Sequence, residues 1–149
     1  MRALPLAIAL LMPIAAQAAP IMPGQWQYTG RVISATIPGA PPSIVDSMKK
    51  RPQVTNVCVT PEQAAKGPRE MFQQSKGRCS FSKFDMIGGR ISLVMICKGE
   101  GAAGTMTIAT DGSYTPTSYA ARSVLKSSGP QSMAMVVEGS GKRIGPCKK

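Results

Sequence analysis

The stretch CSFSKFDMIGGRISLVMIC, residues 79–97, constrains the fold of this chain more than any other. Two runs rich in Phe, Ile, Val and Met meet at Gly88-Gly89. A Gly-Gly pair supplies the positive φ angles of a tight hairpin turn without a Cβ penalty. The second run, residues 91–96, is almost continuously apolar, as in a strand buried on both faces. A cysteine stands at each outer end, placed to clasp the open end of the hairpin. The register sets a condition on that clasp. A two-residue turn at Gly88-Gly89 puts Cys79 opposite Lys98, one residue past Cys97. Pairing the cysteines therefore requires an odd loop length or a bulge.

The rest of the chain extends this β pattern. In residues 25–37, Trp26, Tyr28 and Val32 alternate with Gln27, Thr29 and Arg31, which predicts a long first strand. Residues 53–60 form a second strand, with Val54, Val57 and Val59. Thr60-Pro61-Glu62-Gln63 then starts a helix, with Thr as N-cap, Pro in the first turn and Gln63 closing a capping box. Gly67-Pro68 stops or bends it, and residues 69–75 resume it with Met71 and Phe72 inward. After the hairpin come strands over residues 104–110, 114–125 and 131–143. Asp111-Gly112 reads as a hairpin turn between the first two of these. Residues 38–53 hold Pro38, Pro41, Pro42 and Pro52 and read as a solvated loop, with one or two helical turns over residues 43–48 capped by Ser43. The expectation is mainly β: a single antiparallel curved sheet or barrel-like meander of about seven strands. It carries one short helical insert and is stapled by disulfides.

The N-terminus reads as a leader rather than as part of that domain. Met1-Arg2 precedes an apolar run over residues 4–16, and Ala16-Gln17-Ala18 fits the small-x-small cleavage rule. Residues 1–18 are expected to be a secretory signal peptide and residues 19–149 a single β-rich domain, exported to the periplasm. No second stretch is long and apolar enough to cross a bilayer as a helix. Export agrees with the cysteines: all four, Cys58, Cys79, Cys97 and Cys147, follow the leader, an even number suited to two disulfides. If the last five strands form a meander and the helical insert is a crossover, Cys79 meets Cys97 at one end of the sheet and Cys58 meets Cys147 at the other. Cys58–Cys79 with Cys97–Cys147 is the rival pairing.

Charge and composition bound the function. Loss of Arg2 with the leader lowers the formal charge from +11 to +10, which favours an anionic partner. In an exported chain, lipid headgroups or lipopolysaccharide suit that charge and nucleic acid does not. The sequence has no histidine, hence none of the usual Ser–His or Cys–His nucleophile pairs and no usual zinc site. No cofactor or metal is expected; Met133-x-Met135 reads as core packing. Gly99-x-Gly101-x-x-Gly104 matches the dinucleotide fingerprint by letter, but strand-forming residues follow it where that site needs a helix. The basic Lys49-Lys50-Arg51 beside Ile44 and Met48 are the candidate rim of a ligand site, with Lys142 and Arg143 as a second contact.

An ordered set of short segments resembles a known family. These are Pro23-Gly24-x-Trp26, Val57-Cys58-Val59-Thr60-Pro61-Glu62, Cys79, Cys97-Lys98-Gly99, and Gly141-Lys142-Arg143-Ile144-Gly145-Pro146-Cys147. Together they resemble the bacterial domain-of-unknown-function family numbered 3617, over essentially all of the chain after the leader. The resemblance implies an exported envelope protein and supplies no activity. The expected function is non-enzymatic binding of an anionic amphipathic ligand or partner at the envelope; the alternative is a hydrolase acting on an envelope component.

Overall fold

A computed structural model describes residues 21–67, 69, 77–99, 104–129 and 132–148. Seven strands form one sheet: β1 (Gly24–Thr36), β2 (Gln53–Val59), β3 (Cys79–Asp85), β4 (Arg90–Lys98), β5 (Thr105–Thr115), β6 (Ser118–Ser127) and β7 (Ala134–Gly145). The spatial order is β2-β1-β7-β6-β5-β4-β3, antiparallel throughout. Strands β3 to β7 are the expected meander, and β7 then pairs with β1. The sheet is not closed into a barrel, so β2 and β3 are its edges. The leader, most of the resumed helix over residues 69–75 and part of the 99–104 glycine run lie outside the described residues.

The hairpin turns at Gly88-Gly89, with φ of +59° and +78° and Arg90 N–H donating to the Ile87 carbonyl at 3.0 Å. That backbone is the type I′ turn for which two glycines are suited. The turn is two residues long, and Cys79 nonetheless faces Cys97, because the register shifts between Phe81 and Lys83. One extra residue there, Ser82, reconciles the turn with the clasp. The disulfides are Cys79–Cys97 and Cys58–Cys147. They lie at opposite ends of the sheet, since Cys97 ends β4 while Cys58 ends β2 beside the start of β1.

Four local expectations need correction. Asp111-Gly112 is not a turn: β5 runs through it to Thr115, and the chain reverses at Pro116-Thr117. Gly112 is there for close approach, because a Cβ at that position would meet the Ala121 side chain at 2.8 Å. There are two short helices rather than one insert, α1 (Pro42–Lys50) and α2 (Pro61–Lys66). Ser43 does not cap α1; Pro41 holds the N-cap position with no side-chain cap, and a proline in the first turn supplies its own φ and lacks the N–H that a cap would satisfy. Lys49 and Lys50 therefore lie within α1's last turn, where positive charge suits the helix dipole, and Lys49 pairs with Asp46 at 2.8 Å. Finally, β4 buries one face only: Ile91 and Leu93 are buried, while Val94 and Ile96 are partly exposed. The capping box of α2 forms as expected, with Gln63 N–H donating to Thr60 Oγ1 at 3.2 Å and Thr60 N–H to Gln63 Oε1 at 2.9 Å.

The buried apolar residues divide into two clusters. Met86, Ile91, Leu93 and Tyr114 form one; Trp26, Val59 and Ala64 form the other. Tyr119 packs against both. Among the described residues, the inner face thus carries two separate buried clusters.

Candidate functional site: a cavity on the inner face

The space between the two clusters is a cavity of about 560 Å³, within the range of small-molecule sites, roughly 300–1,000 Å³. Strand alternation builds it, because every second residue of each strand points to the same face. From the first edge come Val57 and Val59 of β2, then Trp26 and Tyr28 of β1. Val137 and Gly139 of β7 and Tyr119, Ala121 and Ser123 of β6 form the middle. Ile108, Thr110 and Tyr114 of β5, then Ile91, Leu93 and Met95 of β4, lead to Phe81 on the opposite edge, β3. One cavity lined by all seven strands requires a sheet that curls around it. Val57 lines the cavity while remaining 42% exposed, so the space reaches solvent beside β2.

One end of the cavity is stopped. α2 places Ala64 against Trp26 and Val59. The segment before β1 crosses the same end: Met22 N–H donates to the Pro116 carbonyl at 2.8 Å, and Trp26 Nε1 donates to the Met22 carbonyl at 3.0 Å. Tyr114 fixes the β3–β4 turn by donating to the Met86 carbonyl at 3.0 Å.

Glycine shapes the floor. Gly141 stands between Tyr28 of β1 and Tyr119 of β6 in the pairing. A Cβ there would lie 2.6 Å from Tyr119 Cδ1 and 3.0 Å from Tyr28 Cδ1. The missing side chain lets both rings lie down against β7, with centroids 5.9 Å apart, and Tyr28 stacks in turn on Trp26. Burial pushes both phenols above their ordinary pKa, the Tyr28 charge adding to the effect at Tyr119.

Among the described residues, none that lines the cavity is charged. The candidate basic residues stand elsewhere. Lys49, Lys50 and Arg51 close and follow α1, which leaves the far end of β1 after Thr36; none of the three lines the cavity. Ile44 is half exposed and Met48 partly buried on the same helix, also outside the cavity. Lys142 and Arg143 fall on opposite faces of β7, as neighbours in a strand must. Lys142 is exposed, whereas Arg143 Nε donates to the Pro23 carbonyl at 2.7 Å, at the end of β1 opposite α1. The two basic groups therefore do not form one rim. Arg69, also outside the lining, stands over β3. Its guanidinium lies 5.1 Å over the ring of Phe84, which packs edge-on against Phe81.

Sequence reasoning singled out Trp26 and Tyr28 as one face of a strand but did not find Tyr119, Gly139 and Gly141. The available signal was Gly139-x-Gly141 inside a strand pattern, which marks close approach of a neighbouring group. Among the described residues, no cluster of three or more His, Cys, Asp or Glu side chains could hold a metal ion, and no helix is long and apolar enough to cross a membrane. Comparison with curated proteins and with solved structures finds no significant match. The family model described as a protein of unknown function, DUF3617, matches residues 21–147, and with most of its length matched this chain belongs to that family.

Proposed function

We propose that this protein is a non-catalytic binding protein for an amphipathic lipid-like molecule, acting outside the cytoplasm. The observation that carries this reading is a cavity of about 560 Å³, lined by all seven strands, with no charged group among its described lining residues, and left between two separate core clusters. Apolar walls favour an apolar chain, since each buried methylene contributes about 0.8 kcal/mol. An anionic head would remain outside, because a charge without a partner is costly to desolvate. Arg69 beside the β3 margin and a formal charge of +10 without the leader suit such a head. The leader pattern and the two disulfides support an oxidising, exported setting.

Hydrolysis has less support. Among the described residues the lining contains no carboxylate, the chain has no histidine, and the Thr110 and Ser123 hydroxyls in the cavity bond each other at 2.8 Å.

Trp26 is the only tryptophan and lines the cavity, so it reports occupancy directly. The test is titration with dibromostearoyl lysophosphatidylglycerol below its micelle concentration, since bromine quenches indole fluorescence only near contact. Saturable quenching is expected, and it should disappear in Gly139→Leu, whose side chain enters the cavity. A Cβ at that position meets only Tyr119 Oη at 3.8 Å and Cε2 at 4.0 Å, so the backbone has room for it. Absence of saturable quenching, or quenching untouched by Gly139→Leu, would refute the reading.

A further inference from the structure

Four aromatic side chains with polar tips line the cavity: Trp26, Tyr28, Tyr114 and Tyr119. The polar tips of such side chains bond either protein groups or whatever fills the space they face. Trp26 uses the Met22 carbonyl and Tyr114 the Met86 carbonyl. Among the described residues, the hydroxyls of the half-buried Tyr28 and Tyr119 have no protein hydrogen-bond partner and are open to the solvent of the cavity. They are exceptional among the polar side chains of the lining. Thr110 and Ser123 bond each other, Thr115 and Ser118 bond each other at 2.8 Å, and Gln63 Oε1 accepts from the Thr60 N–H. Their rings are neighbours, both lying against Gly141 with centroids 5.9 Å apart, and the Tyr119 hydroxyl stands over Gly139 on the cavity floor.

Their chemistry restricts what they would bind. A phenol is neutral, and so a hydrogen-bond donor, at neutral pH, and burial pushes the pKa of both further up. With no cation in the lining among the described residues, a carboxylate or phosphate brought to this depth would lose water without gaining a counter-charge from them. A neutral carbonyl oxygen accepts two hydrogen bonds and carries a far smaller desolvation cost.

We infer that Tyr28 and Tyr119 are the polar contact of the cavity, and that its ligand carries an uncharged ester-type carbonyl within an apolar skeleton. This inference rests on the binding reading above and narrows the ligand class to molecules such as acyl esters. The apolar chain lies against Leu93, Met95 and Ile108, the carbonyl accepts from the two phenols, and any charged group lies beyond the cavity.

Three probes of equal chain length separate the possibilities by quenching of Trp26: dibromooctadecane, methyl dibromostearate and dibromostearate, each delivered from cyclodextrin at neutral pH. The ester is expected to bind about tenfold more tightly than the alkane, as two net hydrogen bonds allow, and more tightly than the carboxylate. In the double variant Tyr28→Phe, Tyr119→Phe the ester should fall to the alkane's affinity. The alkane should bind as before, which shows that the variant keeps its fold and its cavity. Equal affinity for ester and alkane in the wild type, or an ester affinity untouched by the double variant, would overturn the assignment while leaving cavity binding intact. Tightest binding by the carboxylate would overturn the neutral-carbonyl requirement. Quenching by none of the three would defeat the binding reading and this inference with it.

Discussion

Gly141 and Gly139 are two residues apart, on the same strand and face, yet the same substitution should have opposite effects. At Gly141 a methyl group would sit 2.6 Å from Tyr119 Cδ1 and 3.0 Å from Tyr28 Cδ1, and nearer still to Tyr119 Cε1. All are ring atoms, which cannot give way by rotating a flexible tip. Gly141 is also buried, so the rings must lift from β7 and disturb the packing of Tyr119 against both core clusters. Overpacking of this kind costs about 1–3 kcal/mol. A value near 2 kcal/mol lowers Tm by roughly 6–10 °C in a domain of this size. At Gly139 the added methyl makes only ordinary contacts, the nearest at 3.8 Å, and its φ is not positive. Gly139→Ala should therefore be neutral, or stabilise by up to about 1 kcal/mol through a more restricted unfolded chain. Chemical denaturation followed by Trp26 emission measures both. Tyr119→Ala supplies the control: with that ring gone, Gly141→Ala should lose most of its cost, a coupling of about 1 kcal/mol or more. Equal costs at 139 and 141, or a Gly141→Ala cost unchanged in the Tyr119→Ala background, would refute the account of the floor.

Three further outcomes follow from the same coordinates. Replacing Cys58 and Cys147 by Ser should destabilise more than replacing Cys79 and Cys97, because the pairs are 89 and 18 residues apart; the loop-entropy relation gives about 4.6 against about 3.2 kcal/mol, and guanidinium titration showing the reverse order would contradict it. Thr60→Ala should cost about 1 kcal/mol through the lost capping box and shift Trp26 emission to the red, since α2 carries Ala64 against Trp26; an unchanged emission would show that α2 holds without its cap. All three tyrosines have pKa values raised above the ordinary 10.0 by burial, with Asp85 adding to the effect at Tyr114. The folded state thus favours the neutral phenol, so this stability is present below about pH 10 and is lost as pH rises through the folded values. Phenolate absorbance of native protein should lag behind that of protein in denaturant, and coincident curves would contradict the burial.

Local chemistry was readable in the sequence wherever one short segment decides the outcome. Gly88-Gly89 admits few turns, Thr60-Pro61-Glu62-Gln63 carries its own cap, and the alternation around Trp26 and Tyr28 fixes which side chains face inward. Pairing Cys79 with Cys97 made an odd loop or a bulge readable too, but not which of them, nor that the extra residue is Ser82. Asp111-Gly112 misled because the same two residues satisfy a turn and a close strand contact. Which applies depends on Ala121, a residue on another strand. The placement of β7 against β1 depends on residues more than 100 positions apart, such as Gln25 and Gly145, and no local pattern encodes that pairing. The basic residues invited a rim reading by number alone. Their convergence depends on which end of the sheet each connection leaves from, and α1 and Arg143 leave from opposite ends. The cavity was the least legible feature, since an empty interior and a filled one use the same apolar residues.

The pairing of β1 with β7 also orders events in time. A chain made from its N-terminus presents β1 first and β7 last. Until β7 appears, β1 has only the short edge strand β2 to pair with. The meander from β3 onward can assemble hairpin by hairpin, because each strand meets its partner within a few residues. Closure of β1 onto it must wait, and so must the bond between Cys58 and Cys147. During that interval β1 offers an unpaired apolar strand to any other chain nearby, a hazard for aggregation that folding helpers in the same compartment would have to meet. The last-made strand thus decides when the first-made one is safe.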